Sequence, residues 1–348
     1  YPAPPRAFVR RGAPVSTPMQ PLAVHWFTGR STREANGYGY AIAIERTMEH
    51  LAPLVDLRAD APLALSFCAP NVFAPVPNKH NVMVSMFESP DMPANCVDAI
   101  RLADACVVPS EFCRTIFQGI TRAPVHVCPL GVEPVPFVER TPPASGKPFR
   151  WLWLGAFNVR KGWATLAKAW DTYFRDRTDC ELYLKTTREG PPLVRLRNVI
   201  YDSRNLPFEA LCTLYADAHA FVMPTLGEGW GQCVAEAQRS GLPCLIPNYG
   251  GHLEFADART SYFVPHRMMR LTAGEGAETT ARDQKYLFAV TDWTALARTM
   301  DRVMLDYRNA LVVGRRAAKK VAPFTWEASA AKLAAILRIE SQRMRKAA

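Results

Sequence analysis

No apolar run in these 348 residues approaches the roughly 20 that a helix needs to cross a bilayer, so no transmembrane helix is expected. Nine cysteines are scattered along the chain, but none forms a Cys-x-x-Cys pair and no Cys/His set has zinc spacing. A structural metal is therefore not expected. Cys106 in DACVVP and Cys244 in LPCLIP lie in apolar runs, where a free thiol packs as a small hydrophobe, and a reducing cytoplasm is the simpler setting. No Gly-x-Gly-x-x-Gly with an acidic residue downstream follows the first strand-like run, which argues against a dinucleotide oxidoreductase. Acidic side chains are scarce at one end, where residues 311–348 hold nine basic and two acidic groups.

What is present is a globular balance of 49% hydrophobic and 21% charged residues, enough for two domains each with its own core. The net charge of +10 is uneven, since residues 1–148 carry 13 Lys+Arg against 12 Asp+Glu. The basic end suits contact with anionic lipid headgroups or a phosphorylated acceptor, or it is a solvated helix face. No nucleic-acid partner is expected. Residues 1–20, rich in Pro and Arg, read as an irregular leader outside the fold.

From residue 21 onward, strand-length apolar runs alternate with helical patterns, the signature of an α/β chain with parallel sheets. Strands are expected at 21–28, 64–69, 81–88, 105–109 and 125–130. Helices are expected at 40–51, after a Gly-containing loop, and at 93–103 and 110–120, the last capped by Ser110. ERTPPASGKP (139–148) then breaks every periodicity and marks a domain boundary. Beyond it come strands at 149–155, 180–186, 197–202, 220–225 and 243–248. Helices follow at 162–174, 207–218, 231–240, 292–309 and 326–346, while the polar segment 266–285 reads as a loop. The division is therefore 21–145, 146–325, and a basic terminal helix, 326–348, that could return to the first domain. Open α/β sheets bind ligands at the carboxyl ends of their strands, so a cleft between two such domains is the expected site.

Two stretches carry chemistry. In PTLGEGWGQCVAEAQRSGLP (224–243), Gly227, Gly229 and Gly231 lead from a strand into a helix. Glycines admit a ligand close to the backbone, and the unpaired N–H groups of a helix start suit a diphosphate. Glu228 lies in that loop and Glu236 sits eight positions later, a little over two helical turns, so both carboxylates could accept sugar hydroxyls from one ligand. The same residues could equally form a turn before a helix with solvated carboxylates. In WLGAFNVRKGW (153–163), Arg160 and Lys161 stand at the end of a strand, where they could neutralise a leaving diphosphate or merely face water.

In order along the chain, Gly155-x(4)-Arg160-Lys161-Gly162 and GEGWGQCVAE resemble glycosyltransferase family 4. DACVVPSEFCRTIF (104–117), VHVCPLGVEPVPF (125–137) and FTWEASAAKL (324–333) support the likeness, which spans about residues 22–340. The resemblance implies a GT-B fold of two Rossmann-like domains, a nucleotide diphosphate sugar as donor, retention of anomeric configuration, and no metal or other cofactor. The absence of an Asp-x-Asp motif agrees with the last point. By the same resemblance, Arg160 and Lys161 would bind the donor phosphates beside Gly155. Glu228 would contact the donor sugar, with the backbone of Gly229, Trp230 and Gly231 alongside. Glu236 would hold the ribose, and Asn205 and Leu206 would border the base. Gly37 and Gly39, in ANGYGYAIAIERTMEHL, look like the glycine loop facing the diphosphate, with an ordinary strand–helix turn as the alternative.

VSMFESPDMP (84–93) is similar to a subgroup phrase, which puts Glu88 at a strand end where it could orient the acceptor or manage its proton. His80 and His25 are candidates for a cleft histidine, and neither sits in a motif. The implied acceptor is a glycan, lipid or other hydroxyl compound. The place implied is the cytoplasm, with the basic helix against the inner membrane face. The rivals are another GT-B enzyme such as a nucleotide-sugar epimerase, and a non-catalytic sugar-nucleotide-binding partner subunit.

Overall fold

Residues 21–27, 33–186, 197–272 and 285–347 are described by the structure, a computed structural model. The first half builds a parallel sheet from β1 (Leu22–Trp26), β2 (Val55–Leu57), β3 (Leu63–Phe67), β4 (His80–Val84), β5 (Ala105–Val108) and β6 (Val125–Val127), in the order β2-β1-β3-β4-β5-β6. β3 and β5 are buried at every residue, as a strand covered by helices on both faces requires. Around the sheet lie α1 (Arg33–Leu51), α2 (Ala94–Arg101) and α3 (Glu111–Gln118). Ser110 caps α3, its hydroxyl accepting from the Cys113 N–H.

The chain runs without helix or strand from Val127 to Phe149, crossing the Pro-rich stretch. Arg140 fastens this crossing to the second half, donating to the carbonyls of Tyr215 (2.6 Å) and Ala218 (3.2 Å). The second sheet comprises β7 (Phe149–Leu154), β8 (Cys180–Lys185), β9 (Val199–Asp202), β10 (Ala220–Val222), β11 (Cys244–Pro247) and β12 (Tyr262–Val264), in the order β12-β11-β10-β7-β8-β9. Its helices are α4 (Trp163–Tyr173), α5 (Phe208–Asp217), α6 (Gln232–Arg239), α7 (Trp293–Leu305) and α8 (Tyr307–Val321). Two Rossmann-like parallel sheets with their carboxyl edges facing one cleft make this the GT-B arrangement.

The last helix, α9 (Trp326–Ala347), leaves the second half and packs on α1. Leu333, Ala334 and Leu337 join the apolar cluster that holds Val24, Leu51 and Leu63. Its buried Glu340 meets His126 at 2.7 Å and His80 at 3.1 Å. His80 opens β4, so it lies at the end of the sheet away from the cleft.

Three expectations need correction. Segment 266–272 is not a loop but a strand, β13 (His266–Thr272), which pairs antiparallel with β14 (Lys285–Thr291); residues 273–284 lie outside the described set. The helix expected at 292–309 is broken at Asp306 into α7 and α8. Helix α1 begins at Arg33, so Gly37 and Gly39 fall inside it rather than in a loop ahead of it. The expected leader lies outside the described residues.

Candidate active site

The order of the second sheet reverses at β7, which is flanked by β8 on one side and β10 on the other. A crevice opens where such an order reverses, and the two loops that leave β7 and β10 meet there. Asn158 shapes the first, its side chain accepting from the Lys161 N–H at 3.1 Å and closing a tight turn over Val159–Lys161. Gly162 follows at φ +73°, and a Cβ on it would lie 1.9 Å from the Pro224 carbonyl oxygen, so no other residue fits. The second loop is bound directly to the first, because the Leu226 N–H (2.7 Å) and the Thr225 hydroxyl (3.0 Å) both reach the Arg160 carbonyl. Gly155, at the head of the first loop, extends the ladder by donating to the Lys185 carbonyl.

Glu228 is the centre of the cluster. Its carboxylate, 5% exposed, accepts from Lys161 Nζ at 2.7 Å and from the Thr225 hydroxyl at 3.0 Å, with Arg160 at 3.4 Å. Burial alone would raise its pKa. The charges of Lys161 and Arg160 and the bonds from Lys161 and Thr225 outweigh burial and bring it down to about 2, so it is ionised. Arg160 also donates to the Gly227 carbonyl (2.8 Å) and faces Glu88 at 3.6 Å. Two carboxylates and two cations therefore share one site. Arg160 spans the cleft, because Glu88 belongs to the first half. Glu88 is not at a strand end, since β4 stops at Val84 and the carboxylate stands four residues farther, in the loop.

That loop touches the second half closely. A Cβ at Gly227 would lie 2.2 Å from the Glu88 carbonyl oxygen, and one at Gly229 would lie 2.9 Å from Met86 Cβ. The Ser110 hydroxyl donates to the Gly229 carbonyl at 2.8 Å. Tyr40, on α1, secures Met86 through both its N–H (3.0 Å) and its carbonyl (2.6 Å). On the other side Gly251 donates to the Glu228 carbonyl, and a Cβ there would lie 1.8 Å from the Gly229 oxygen. Gly231, at φ +94°, turns the chain into α6.

Trp230 turns its indole away from this surface, stacking edge-on against Phe255 and Phe324 in the core, which leaves only its backbone at the loop. Glu236 stands on α6 and accepts from the Tyr215 hydroxyl at 2.7 Å. Burial pushes its carboxyl up to about 7, with the bond from Tyr215 and the nearby Gln232 amide opposing that rise and the charge of Glu133 adding to it. Asn205 is exposed and Leu206 half-buried, just ahead of α5. His25 is half-buried on β1, and its pKa is lowered by burial and by Lys79.

Sequence reasoning missed Thr225, Tyr215 and Lys185, and it saw Ser110 only as a helix cap, not as a partner of Gly229. Lys185 closes β8 with its ammonium buried, donating to the carbonyls of Thr186 (2.6 Å) and Arg204, and burial lowers its pKa. A hydrophobic strand ending in lysine is the only signal the sequence carried for it. Thr225 could have been found from its place three residues before Glu228, within side-chain reach around a tight turn.

Residues 148–273 match the profile of the family described as glycosyl transferases group 1. No curated protein sequence matches the chain. Among solved structures, sucrose-phosphate synthase from Thermosynechococcus elongatus superposes with a TM-score of 0.61 at 17% identity, over 84% of this chain and 75% of that one. WaaG, a glycosyltransferase involved in lipopolysaccharide biosynthesis, gives 0.60 at 13% identity, over 91% of this chain and 99% of its own. A glycosyltransferase from Rickettsia africae ESF-5 gives 0.60 at 12% identity, over 92% and 97%. The chain spans only 57% of TarM and 53% of a chain in the GtfA/B complex. At such identities these likenesses establish the fold. The role of glycosyltransferase comes from the profile match over residues 148–273, and the fold agrees with it.

Proposed function

We propose that the chain is a retaining, metal-independent glycosyltransferase that moves a hexose-type sugar from a nucleotide diphosphate donor to a hydroxyl of a glycan or lipid acceptor. The observation that carries this reading is the Glu228–Lys161–Arg160 cluster at the reversal point of the second sheet, one turn ahead of the α6 N-terminus. Sugar transfer passes through an oxocarbenium-like state while negative charge grows on the departing diphosphate. Arg160, Lys161 and the free N–H groups at the start of α6 meet that charge as it develops, which is where stabilisation accelerates a reaction. The acceptor oxygen bonds to the anomeric carbon on the face the diphosphate leaves, and the acceptor proton passes to the departing phosphate oxygen. Glu228 holds the donor sugar, Glu236 the ribose, and Asn205 and Leu206 border the base. Glu88, tied to Arg160, orients the acceptor. Gly155, Gly229, Trp230 and Gly231 supply backbone beside the donor, and Gly37 and Gly39 approach it from α1.

A cytoplasmic protein resting on the inner membrane face fits the outward stripe of α9. Ala331, Lys332, Ala335, Ile339, Gln342, Arg343, Arg345 and Lys346 are all exposed and none is acidic, while the exposed Glu327 is confined to the first turn. No described helix is long and apolar enough to cross a membrane. Sedimentation with anionic vesicles but not zwitterionic ones is expected, and reversing Lys332, Arg345 and Lys346 to Glu should abolish it. Equal sedimentation of that variant would remove α9 from the contact.

A thermal-shift panel of UDP, GDP, dTDP, ADP and CMP, with and without EDTA, tests the reading as a whole, since a ligand bound only by the native state raises Tm. A rise with one diphosphate that EDTA leaves intact is the expected result. No rise with any of them would overturn the donor site.

A further inference from the structure

By chain, β13 and β14 belong to the second half, yet one face of β14 is seated in the first. Tyr286 and Phe288 alternate with Leu287 and so share a face, and both are buried in one apolar cluster with Phe73, Met83, Phe87 and Met92. The Ser89 hydroxyl donates to the Leu287 carbonyl at 3.0 Å, and Arg270 pairs with Asp91. The same strand also holds the loop of the second half. The Ala289 N–H donates to the Leu226 carbonyl at 2.9 Å, and a Cβ at Gly227 would lie 3.6 Å from the Phe288 ring. One strand thus grips both the loop bearing Glu88 and the loop bearing Glu228.

The ion pair across the cleft, Arg160–Glu88 at 3.6 Å, is too long and forgiving to fix the loops by itself. Close-packed aromatic side chains are less forgiving, because a shift opens a void. We propose that the β13–β14 hairpin is a strap that sets the two catalytic loops in register across the cleft. In it, Phe288 acts as a positioning residue, through Gly227 on Glu228 and through the cluster around Phe87 on Glu88. This rests on the reading of Glu228 and Glu88 as site residues. Phe288 is buried in the cluster, so its loss displaces groups without removing any from the cleft, and a displacement of about 1 Å costs on the order of 10² in rate.

The test compares the full-length protein with Phe288→Ala and Phe288→Leu. It measures kcat, the Kd for the nucleoside diphosphate found by thermal shift, and amide hydrogen exchange over 85–91 and 226–231. For Phe288→Ala the strap predicts a kcat loss of roughly 10–100-fold with Kd changed less than about threefold, since the charged groups proposed for the diphosphate, Arg160 and Lys161, stand on a different loop of the second half from the Gly227 loop beside Phe288. Phe288→Leu should restore most of kcat. Both segments, though in different halves, should lose protection together. Faster exchange confined to the hairpin, or equal losses in kcat and binding with both loops still protected, would overturn the strap. If Phe288→Ala does not fold, Phe288→Leu and Ser89→Ala carry the same comparison. Exchange needs no turnover. Joint loss of protection in a chain that binds no nucleotide would therefore keep the strap and refute the site reading.

Discussion

Glu228 and Glu236 lie eight residues apart on one loop and helix, and their surroundings drive them in opposite directions. Burial first, then the charge of Glu133, raises the Glu236 carboxyl to about 7 from an ordinary 4.5, against the opposing bond from Tyr215 and the nearby Gln232 amide. Between those two pH values the folded chain keeps a proton that the unfolded chain has lost. Stability contributed by this group therefore falls as pH rises from 4.5 to about 7, and the full cost is present above 7. Each pKa unit is worth about 1.4 kcal/mol, so the cost reaches about 3.5 kcal/mol at most, and part exposure of Glu236 reduces it to roughly 1–3 kcal/mol.

Glu236→Gln removes the titration and keeps an oxygen for Tyr215. It should melt with the wild type near pH 5 and roughly 2–8 °C above it near pH 8. Ribose hydroxyls bond better to a carboxylate than to a neutral acid, so diphosphate binding should expel the Glu236 proton. Wild-type affinity should then climb between about pH 6 and 8 with a proton released to the buffer, measured by calorimetry in buffers of different ionisation enthalpy. The variant should bind more weakly and show only the ligand's own titration. An equal Tm at both pH values would refute the burial argument, and parallel affinity slopes would take Glu236 away from the ribose.

Lys161→Ala leaves the buried Glu228 carboxylate with Arg160 and Thr225 alone, so it should lose about 3–5 kcal/mol of stability. Its transfer should drop on the order of 10²–10³, read from Tm and initial rates, and near-normal turnover would exclude Lys161 from the chemistry. Its stability should also depend less on acid. The depressed Glu228 pKa contributes stability that is full above 4.5 and lost as pH falls from there toward about 2, and without Lys161 the folded pKa lies higher, so less is lost and the loss ends sooner. Gly251→Ala sets a Cβ 1.8 Å from the Gly229 oxygen, so nucleotide binding should vanish while far-ultraviolet circular dichroism is retained; unchanged binding would show that the loop yields.

Local signals carried most of the fold. β3, β5, β7 and β8 are buried runs of strand length, and alternation with helices forces parallel pairing. What failed was non-local. β2 and β12 are three residues each, too short to show a period, and they exist because β1 and β11 hold them in register. In β13 the run PHRMMRLT shows no alternation of apolar and polar residues, because much of the strand stands in solvent and only its partner β14 is buried. α7 and α8 share one helical pattern, and the break at Asp306 comes from packing on Phe149 and His219 through Tyr307.

At the site, the sequence pointed to Glu228, Arg160 and Lys161 by residue type and order, but it could not show that they neutralise one another. An adjacent Arg-Lys pair in a loop looks like a solvated cationic patch. The fold instead sets those cations against Glu228 and Glu88, so the four side chains carry no net charge. On the proposed reading this has a consequence for selectivity. A lone anion such as inorganic phosphate would have to displace Glu228 from Lys161 with nothing else to hold it. A diphosphate already held through its ribose at Glu236 meets the same cations as an intramolecular partner, at an effective concentration of order millimolar. The neutral cluster would thus reject free phosphate while remaining arranged for charge that develops only as the sugar departs.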